Sequence, residues 1–164
     1  MTFKTLPCGR KINKKTPPSK EDLLKYKEKL RKYTTQKQKK FTEQRWQIAE
    51  VILKEGGHSK VQDILTVVQS HYPHIGAATV YRNIKTLCDA GILIESHMNE
   101  EGIKYFEIAS KNHHDHILCL DCGEIIEFKN DQIESLQKDL CNKMHFEAEA
   151  HRHMIMSRCT YLKK

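Results

Sequence analysis

The residues best suited to chemistry lie together in the segment 113–122, which contains three histidines, two aspartates and two cysteines. Hydrophobic packing gives no reason to concentrate imidazoles, carboxylates and thiols in so short a stretch. The C-x-x-C spacing of Cys119 and Cys122 allows two thiolates to hold one tetrahedral zinc ion from a tight turn. Gly123 follows at once and suits the backbone reversal that such a turn needs. The segment therefore predicts metal binding.

The histidines of this segment predict further metal sites. On an extended strand, the side chains of His114 and His116 would project from one face, whereas those of His113 and Asp115 would project from the opposite face. A strand with two pairs of ligands back to back could serve two sites besides the thiolate pair. A single zinc knuckle with incidental surface histidines is the alternative.

The positive charge of the chain is concentrated in residues 1–40, which hold 14 Lys and Arg against 3 Asp and Glu. This segment has a net charge of +11, whereas the chain as a whole carries +7. Such a segment is typical of binding to a polyanion such as nucleic acid. A solvated basic tail without a specific partner is the alternative.

Length and composition allow one domain or two small ones in 164 residues. No stretch approaches the roughly 20 apolar residues of a membrane span, and the basic N-terminus lacks a hydrophobic signal region. We therefore expect a cytoplasmic protein that does not bind membranes. In that compartment the six cysteines favour reduced thiols or metal ligands over disulfides.

The first two thirds of the chain predict helices followed by a hairpin. Residues 1–18 are expected to be flexible, and 34–40 to be a polar connector. The capping signals and apolar periodicity predict helices at 19–33, 42–54, 60–72 and 77–90, then strands at 92–98 and 103–108 joined by a turn at 99–102. The last three of these helices and the hairpin form a winged helix-turn-helix. This motif places its third helix, here the one at 77–90, in the DNA major groove.

The predicted third helix carries candidates for DNA contact. Val80, Ile84 and Leu87 form its apolar stripe, whereas Tyr81, Arg82 and Lys85 face away from it. Arg and Lys can contact guanine edges or phosphates, and a Tyr ring can pack on a thymine methyl group. Ordinary surface residues of a helical bundle are the alternative. Cys88 lies beside the stripe and is interpreted as a core residue.

The remaining residues predict a second, α/β domain. Strands are expected at 116–120 and 124–128, a helix at 131–143 and a strand at 146–162. Ile133, Leu136 and Leu140 are expected to form the buried face of the helix. The last strand would project His151, His153 and Cys159 from one face. Exposed apolar positions in this region favour a sheet that a second copy of the chain completes.

The motifs described so far closely resemble the ferric uptake regulator family over residues 36–160. The resemblance is carried by Ala78-Thr79-Val80-Tyr81-Arg82, by Gly91-Ile92 and above all by the segment 113–128. It implies an α+β fold, with an N-terminal winged helix-turn-helix followed by a small α/β dimerisation domain. The predicted division is a basic extension at 1–35, a DNA-binding domain at 36–109 and a metal-binding dimerisation domain at 110–164.

The resemblance implies up to three metal sites. The regulatory site between the domains would take His58, Glu107, His114, His116 and Glu127. A second site would take His113, Asp115, Glu134 and His151. In the structural zinc site, Cys119, Cys122 and Cys159 match the family, but Leu162 occupies the fourth position. Cys141, His153, Cys8 or water could supply the fourth ligand, or the site could be lost.

The ligand types favour Fe²⁺ at the regulatory site, with Mn²⁺ or Co²⁺ as substitutes, because nitrogen and oxygen ligands without thiolate suit these ions. Zn²⁺ could occupy the thiolate site and the second site. Peroxide-sensing relatives typically have aspartates at the positions where this chain has Glu107 and Glu127. Zinc-sensing relatives place a thiolate in the regulatory site, and this chain has none at these positions. An enzyme is disfavoured because five ligands leave little room for the open position of a catalytic metal.

The family resemblance extends to DNA recognition. Lys40 matches a residue that enters the minor groove, and Tyr81 and Arg82 match major-groove residues. We add Arg45, Thr79 and Lys85 as DNA-binding candidates. The predicted protein is a dimeric or tetrameric, Fe²⁺-responsive repressor of metal-homeostasis genes that binds A/T-rich inverted repeats. A zinc-, manganese- or peroxide-responsive relative and a metal-independent DNA-binding regulator are the alternatives.

Overall fold

The computed structural model describes residues 3–5, 11–13, 17–97, 104–109 and 113–160. The chain forms two compact units, one of residues 15–110 and the other of residues 1–14 together with 111–164. The elements are β1 (Phe3–Thr5), β2 (Lys11–Asn13), α1 (Lys20–Gln36), α2 (Glu43–Glu55), β3 (Ser59–Lys60), α3 (Val61–His71), α4 (Ala77–Asp89), β4 (Leu93–His97), β5 (Lys104–Ile108), β6 (Asp115–Cys119), β7 (Ile125–Phe128), α5 (Asp131–Lys143) and β8 (Met154–Ser157). None of the described helices has the length and apolar character needed to cross a membrane.

Helix α1 begins with the predicted capping box. The backbone N–H of Asp22 donates to Ser19 Oγ at 3.1 Å, and the backbone N–H of Ser19 donates to Asp22 Oδ2 at 3.3 Å. The helix continues to Gln36, so part of the predicted connector at 34–40 is helical. The extra turn is stabilised because Leu30 and Thr34, one turn apart on the same face, are both completely buried.

Helices α2, α3 and α4 surround the core of the unit 15–110, as their apolar periodicity predicted. Thr42 caps α2, and Gly56 ends it with a φ of 60°. Ile64 and Val68 are the buried residues of α3. The core also contains the following buried apolar residues of α2 and α4: Trp46, Ile48, Ala49, Ile52, Leu53, Val80, Ile84 and Leu87. Cys88 packs against this core, as predicted.

The wing is a three-stranded sheet with the strand order β3-β5-β4. Strands β4 and β5 are antiparallel, with Leu93 opposite Ile108 and His97 opposite Lys104. The predicted hairpin strands are therefore confirmed, whereas their turn at 99–102 lies outside the described residues. The pairing of β3 with β5 places Ser59 opposite Phe106, which draws the loop before α3 to the wing.

The other unit contains a three-stranded sheet with the order β7-β6-β8, in which β6 is antiparallel to β7 and parallel to β8. The strand predicted at 146–162 is wrong in extent, because only Met154–Ser157 form it. These four residues pair with His116–Cys119 of β6. His151, His153 and Cys159 consequently lie outside the strand, and the prediction that strand geometry projects them from one face is wrong.

Helix α5 occupies the predicted residues, and Asn130 caps it through its side-chain oxygen. Its predicted buried face is wrong for the single chain. Leu136 and Leu140 are 68% and 59% exposed, and none of the residues of this helix is buried. The small sheet of one chain does not provide enough apolar surface to cover them.

The prediction of a flexible segment at 1–18 is also wrong for the described residues near its start. Strands β1 and β2 pair in antiparallel fashion, with Phe3 opposite Asn13 and Thr5 opposite Lys11. Phe, Thr and Ile favour strands, and this preference holds here although the composition of the segment is basic.

Candidate metal centres and DNA-binding surface

Within the unit 15–110, His58 and Glu107 form a buried pair. Their Nε2 and Oε2 atoms are 2.9 Å apart, and the two side chains are 4% and 7% exposed. The pairing of β3 with β5 explains their proximity, since His58 precedes Ser59, and Ser59 lies opposite Phe106. A buried imidazole beside a buried carboxylate offers one nitrogen and one oxygen donor to a metal ion.

Within the other unit, His114, His116 and Glu127 lie together. Nε2 of His114 is 3.6 Å from Oε1 of Glu127, and the centroids of the two imidazole rings are 5.0 Å apart. The β6–β7 register places His116 directly opposite Glu127. The alternation along the chain therefore brings the two histidines to one side of the sheet, where a carboxylate joins them.

The second predicted ligand set converges fully within this unit. The potential ligand atoms of His113, Asp115, Glu134 and His151 all lie within 4.8 Å of one another. The Nε2 atoms of His113 and His151 are 2.5 Å apart, and Oε1 of Glu134 is 3.4 Å and 3.6 Å from them. Strand β6, helix α5 and the segment before β8 thus each contribute to one cluster. An open cleft of about 620 Å³ borders it.

Asp115 provides the test of whether this cluster fits a cation. Its side chain is only 1% exposed, and neither carboxylate oxygen has a hydrogen-bond partner among the described residues. Burial of a carboxylate without a partner costs several kcal/mol, in round numbers, so the protein needs a positive charge here. A divalent ion held by two imidazoles and two carboxylates provides that charge. The residues fit Fe²⁺, Mn²⁺, Co²⁺ or Zn²⁺.

The predicted thiolate site has local features of a zinc knuckle. The backbone N–H of Gly123, which has a φ of 70°, donates to the carbonyl oxygen of Cys119 at 2.8 Å. Burial of Cys119 opposes ionisation, but hydrogen bonds from the backbone N–H groups of Asp121 and Cys122 and from the Cys122 side chain together lower the pKa of the Cys119 thiol. Among the described residues, however, no cysteine belongs to a cluster of three or more potential ligand atoms within 4.8 Å.

Cys159 is held near the knuckle through the backbone. Its N–H donates to Asp121 Oδ2 at 2.7 Å, while Arg158 Nη1 lies 2.9 Å from Asp121 Oδ1. Of the residues considered as a fourth ligand, His153 directs Nδ1 toward Asp115, and Cys141 lies on α5. Cys8 and Leu162 lie outside the described residues.

The predicted DNA-contacting residues of α4 lie on its open face. Tyr81 is 50% exposed, and Arg82 and Lys85 are exposed as well. Thr79 is half-buried, and Arg82 Nη2 donates to its hydroxyl oxygen at 3.5 Å. Because this face carries two cations and one aromatic ring, it can contact phosphates and base edges.

Arg45 connects the start of α2 to α4. Its Nε donates to Asn83 Oδ1 at 3.3 Å, and its Nη1 donates to the carbonyl oxygen of Lys40. Asn83 in turn donates to the carbonyl oxygen of Thr79 at 2.7 Å. Lys40 itself is exposed. The sequence analysis missed Asn83, although a polar residue between Val80 and Ile84, at a position that reaches the core, was a usable signal.

Comparison with known proteins agrees with this arrangement. The model of the "Ferric uptake regulator family" matches residues 36–160. The ferric uptake regulation protein of Vibrio cholerae is 37% identical over 121 residues, covering 73% of this chain and 80% of the relative. The Helicobacter pylori ferric uptake regulator, whose structure is described as revealing three functional metal binding sites, is 27% identical with a TM-score of 0.78, covering 92% and 97% of the two chains. The Francisella tularensis regulator, solved with iron, is 28% identical with a TM-score of 0.69, covering 76% and 95%.

These matches span both units of the structure, including the helices of the first and the metal-ligand cluster of the second. Proteins of this kind are transcription regulators rather than enzymes. The chain therefore belongs to the ferric uptake regulator family.

Proposed function

We propose that the protein is an Fe²⁺-responsive transcriptional repressor of metal-homeostasis genes. It binds A/T-rich inverted-repeat operators as a dimer. The observation that carries the proposal is that each unit of the chain holds one part of a nitrogen- and oxygen-donor set. His58 and Glu107 belong to the unit with the recognition helix, and His114, His116 and Glu127 belong to the other.

The proposed switch is one Fe²⁺ ion that takes ligands from both parts. An ion bound in this way restricts the orientation of the two units, which shifts the population toward arrangements whose recognition helices match the operator. Ligands that are only nitrogen and oxygen suit Fe²⁺, Mn²⁺ and Co²⁺. Zn²⁺ competes for the same donors, so metal supply in the cell decides occupancy.

The proposed DNA contacts combine the two grooves. Tyr81, Arg82 and Lys85 on α4 read the major groove, while Lys40 enters the narrow minor groove of the A/T-rich segments. The exposed positions of these four side chains support this assignment. Proteins of this family bind DNA and function as dimers, and two copies of α4 would read the two halves of an inverted repeat.

The test is a titration of a fluorescent A/T-rich inverted-repeat duplex with metal-stripped protein, with and without Mn²⁺ as an air-stable substitute for Fe²⁺. The salt concentration is held constant because phosphate contacts make affinity depend on it. We expect metal to tighten binding by about 5–150-fold, which corresponds to a coupling of about 1–3 kcal/mol. His114→Ala should abolish this dependence, whereas His74→Ala, at an exposed histidine on the loop before α4, should retain it.

Arg82→Ala should weaken binding both with and without metal, because it removes a DNA contact and no metal ligand. Equal affinity of the unaltered protein in both metal states would contradict the switch and leave a metal-independent regulator. A response to Zn²⁺ or Mn²⁺ at concentrations where Fe²⁺ has no effect would replace iron by another metal. Binding of four chains to one duplex would replace the dimer by a tetramer.

A further inference from the structure

The two oxygen atoms of the buried Asp115 carboxylate face different histidines. Oδ1 is 3.7 Å from Nε2 of His113 and 3.6 Å from Nε2 of His151. Oδ2 is 3.8 Å from Nδ1 of His153. Asp115 Oδ2 and His153 Nδ1 are both buried, and neither has a hydrogen-bond partner among the described residues. The distance is too long for a hydrogen bond between them.

The ring of His153 is positioned by both neighbouring strands. The backbone N–H of His116 donates to the carbonyl oxygen of His153 at 3.1 Å, immediately before the parallel pairing of β6 with β8 begins. The ring of Phe128 meets the ring of His153 edge to face, with centroids 6.1 Å apart. Phe128 lies directly opposite Asp115 in the β6–β7 register. Nδ1 is therefore directed at Asp115 by the sheet itself.

A buried acceptor and a buried imidazole nitrogen separated by nearly 4 Å leave both groups unsatisfied, which costs free energy. A cation between them satisfies both, since each can donate a lone pair to it. Asp115 is also one of the four residues whose donor atoms lie within 4.8 Å of one another. His153 lies outside that set and approaches it from the side of Asp115 Oδ2, at 3.8 Å.

We propose that His153 is an additional ligand of the metal ion bound by His113, Asp115, Glu134 and His151. It binds through Nδ1, and Asp115 contributes both of its oxygens. The inference rests on the proposed metal binding by this cluster, and extends its ligand set from four residues to five. The donors are then three imidazole nitrogens and three carboxylate oxygens.

Six donors of this kind change the expected metal preference. Zn²⁺ usually takes four ligands in a tetrahedron, whereas Mn²⁺, Fe²⁺, Co²⁺ and Ni²⁺ accept six. With His153 coordinated, the site favours the six-coordinate ions. Without it, the four remaining residues resemble a tetrahedral zinc site. His153 is thus a specificity-determining residue of this metal centre.

The experiment is a Co²⁺ titration of the metal-stripped full-length chain, monitored by visible absorption. The parent carries His114→Ala and Cys119→Ser, which weaken the other two proposed sites and reduce thiolate absorption. Three variants are made in this parent. Two replace the proposed ligand, His153→Leu and, with a polar side chain of similar reach, His153→Gln. The third, His74→Leu, is a matched control at an exposed histidine. Circular dichroism and thermal unfolding establish that each variant is folded.

We expect the parent and the His74→Leu variant to show the weak absorption bands of five- or six-coordinate Co²⁺. Both His153 variants should show the stronger, red-shifted bands of four-coordinate Co²⁺ and bind the ion at least about tenfold more weakly. Their preference for Zn²⁺ over Co²⁺, measured by competition with a fluorescent chelator, should increase relative to the parent.

Unchanged spectrum and affinity in both folded His153 variants would overturn the role of His153 but leave the four-residue site in place. Absence of Co²⁺ binding by the parent would overturn both the site and the inference. DNA binding by the otherwise unaltered protein tests the regulatory proposal separately. A failure of the regulatory proposal can therefore be distinguished from either of these results.

Discussion

At the scale of single residues, Asp115 is the buried group that most strongly favours the binding of a cation. A carboxylate that is 1% exposed, beside three histidines, is stable only if a positive charge accompanies it. The metal-free unit is therefore expected to be less stable than the metal-bound one.

Replacing Asp115 by Asn tests this consequence. Because Asn has nearly the same shape and no charge, we expect Asp115→Asn to raise the melting temperature of the metal-free protein. Added Co²⁺ should stabilise the unaltered protein by mass action, by about 3 kcal/mol at a concentration one hundred times its Kd, and so raise its melting temperature. It should have a much smaller effect on the variant. Differential scanning calorimetry with Co²⁺ and with a chelator measures both effects.

Asp121→Asn is a matched control, since this aspartate lies in the same segment but pairs with Arg158 instead of the histidines. The expectation is contradicted if Asp115→Asn lowers the stability of the metal-free protein or retains the full effect of Co²⁺.

At the scale of elements, Arg45 and Asn83 connect the start of α2, the backbone of Lys40 and α4, which is the proposed recognition helix. Asn83 is 5% exposed, so the connection is made largely out of contact with water. Hydrogen bonds of this kind contribute about 1–3 kcal/mol when one partner is charged. They fix Lys40 relative to α4, and these are the two elements proposed to enter adjacent grooves.

Removal of this connection should weaken DNA binding through geometry. We expect Arg45→Ala and Asn83→Leu each to reduce affinity for the operator duplex by about tenfold, because 1.4 kcal/mol corresponds to a factor of ten. Asn83→Leu retains every cation of the protein, so its salt dependence should remain that of the unaltered chain. Fluorescence anisotropy at several salt concentrations measures both quantities.

Lys54→Ala removes an exposed cation from the end of α2 and is the control for the loss of charge alone. If Asn83→Leu binds DNA like the unaltered protein and only Arg45→Ala is impaired with a reduced salt dependence, then Arg45 acts as a direct phosphate contact.

At the scale of the whole molecule, the apolar residues left exposed on α5 and after it form the surface to which we expect a second copy to bind. Leu136, Leu140 and Phe146 are 68%, 59% and 67% exposed. Exposed apolar patches of this kind mark protein interfaces. They lie in the unit that the family resemblance assigns to dimerisation, and burial of each large side chain contributes about 1.5–3 kcal/mol.

The combined change Leu136→Asp and Leu140→Asp should convert the dimer to a monomer and abolish high-affinity binding to the inverted repeat. Sedimentation velocity measures the mass, and anisotropy the binding. Leu24→Asp is the matched control, because Leu24 also lies on a helix and is 66% exposed, but belongs to the unit 15–110. Persistence of a dimer in the double variant would place the interface elsewhere.

The helices of the unit 15–110 were predictable because their signals are local. Ser19, Thr42 and Gly56 mark ends that depend on neighbouring backbone groups, and the apolar stripes repeat within each helix. The predictions were wrong where contacts between residues distant in sequence decide the extent or the burial of an element. The extension of α1 depends on burial of Leu30 and Thr34. The apolar face of α5 repeats as periodicity predicted, but in the single chain it is left exposed.

The sequence by itself determined the family, the position of helix α4 and the concentration of potential metal ligands at 113–122, since these depend on residue types at fixed short spacings. Only the tertiary structure decided which donors converge. The carboxylate of Glu134, on α5, lies within 4.8 Å of the donor atom of Asp115. His151 and His153, in the segment before β8, both face Asp115, so that His153 is directed at Asp115 instead of the cysteines. These contacts depend on the parallel pairing of β6 with β8, between residues almost 40 positions apart, which no local pattern specifies.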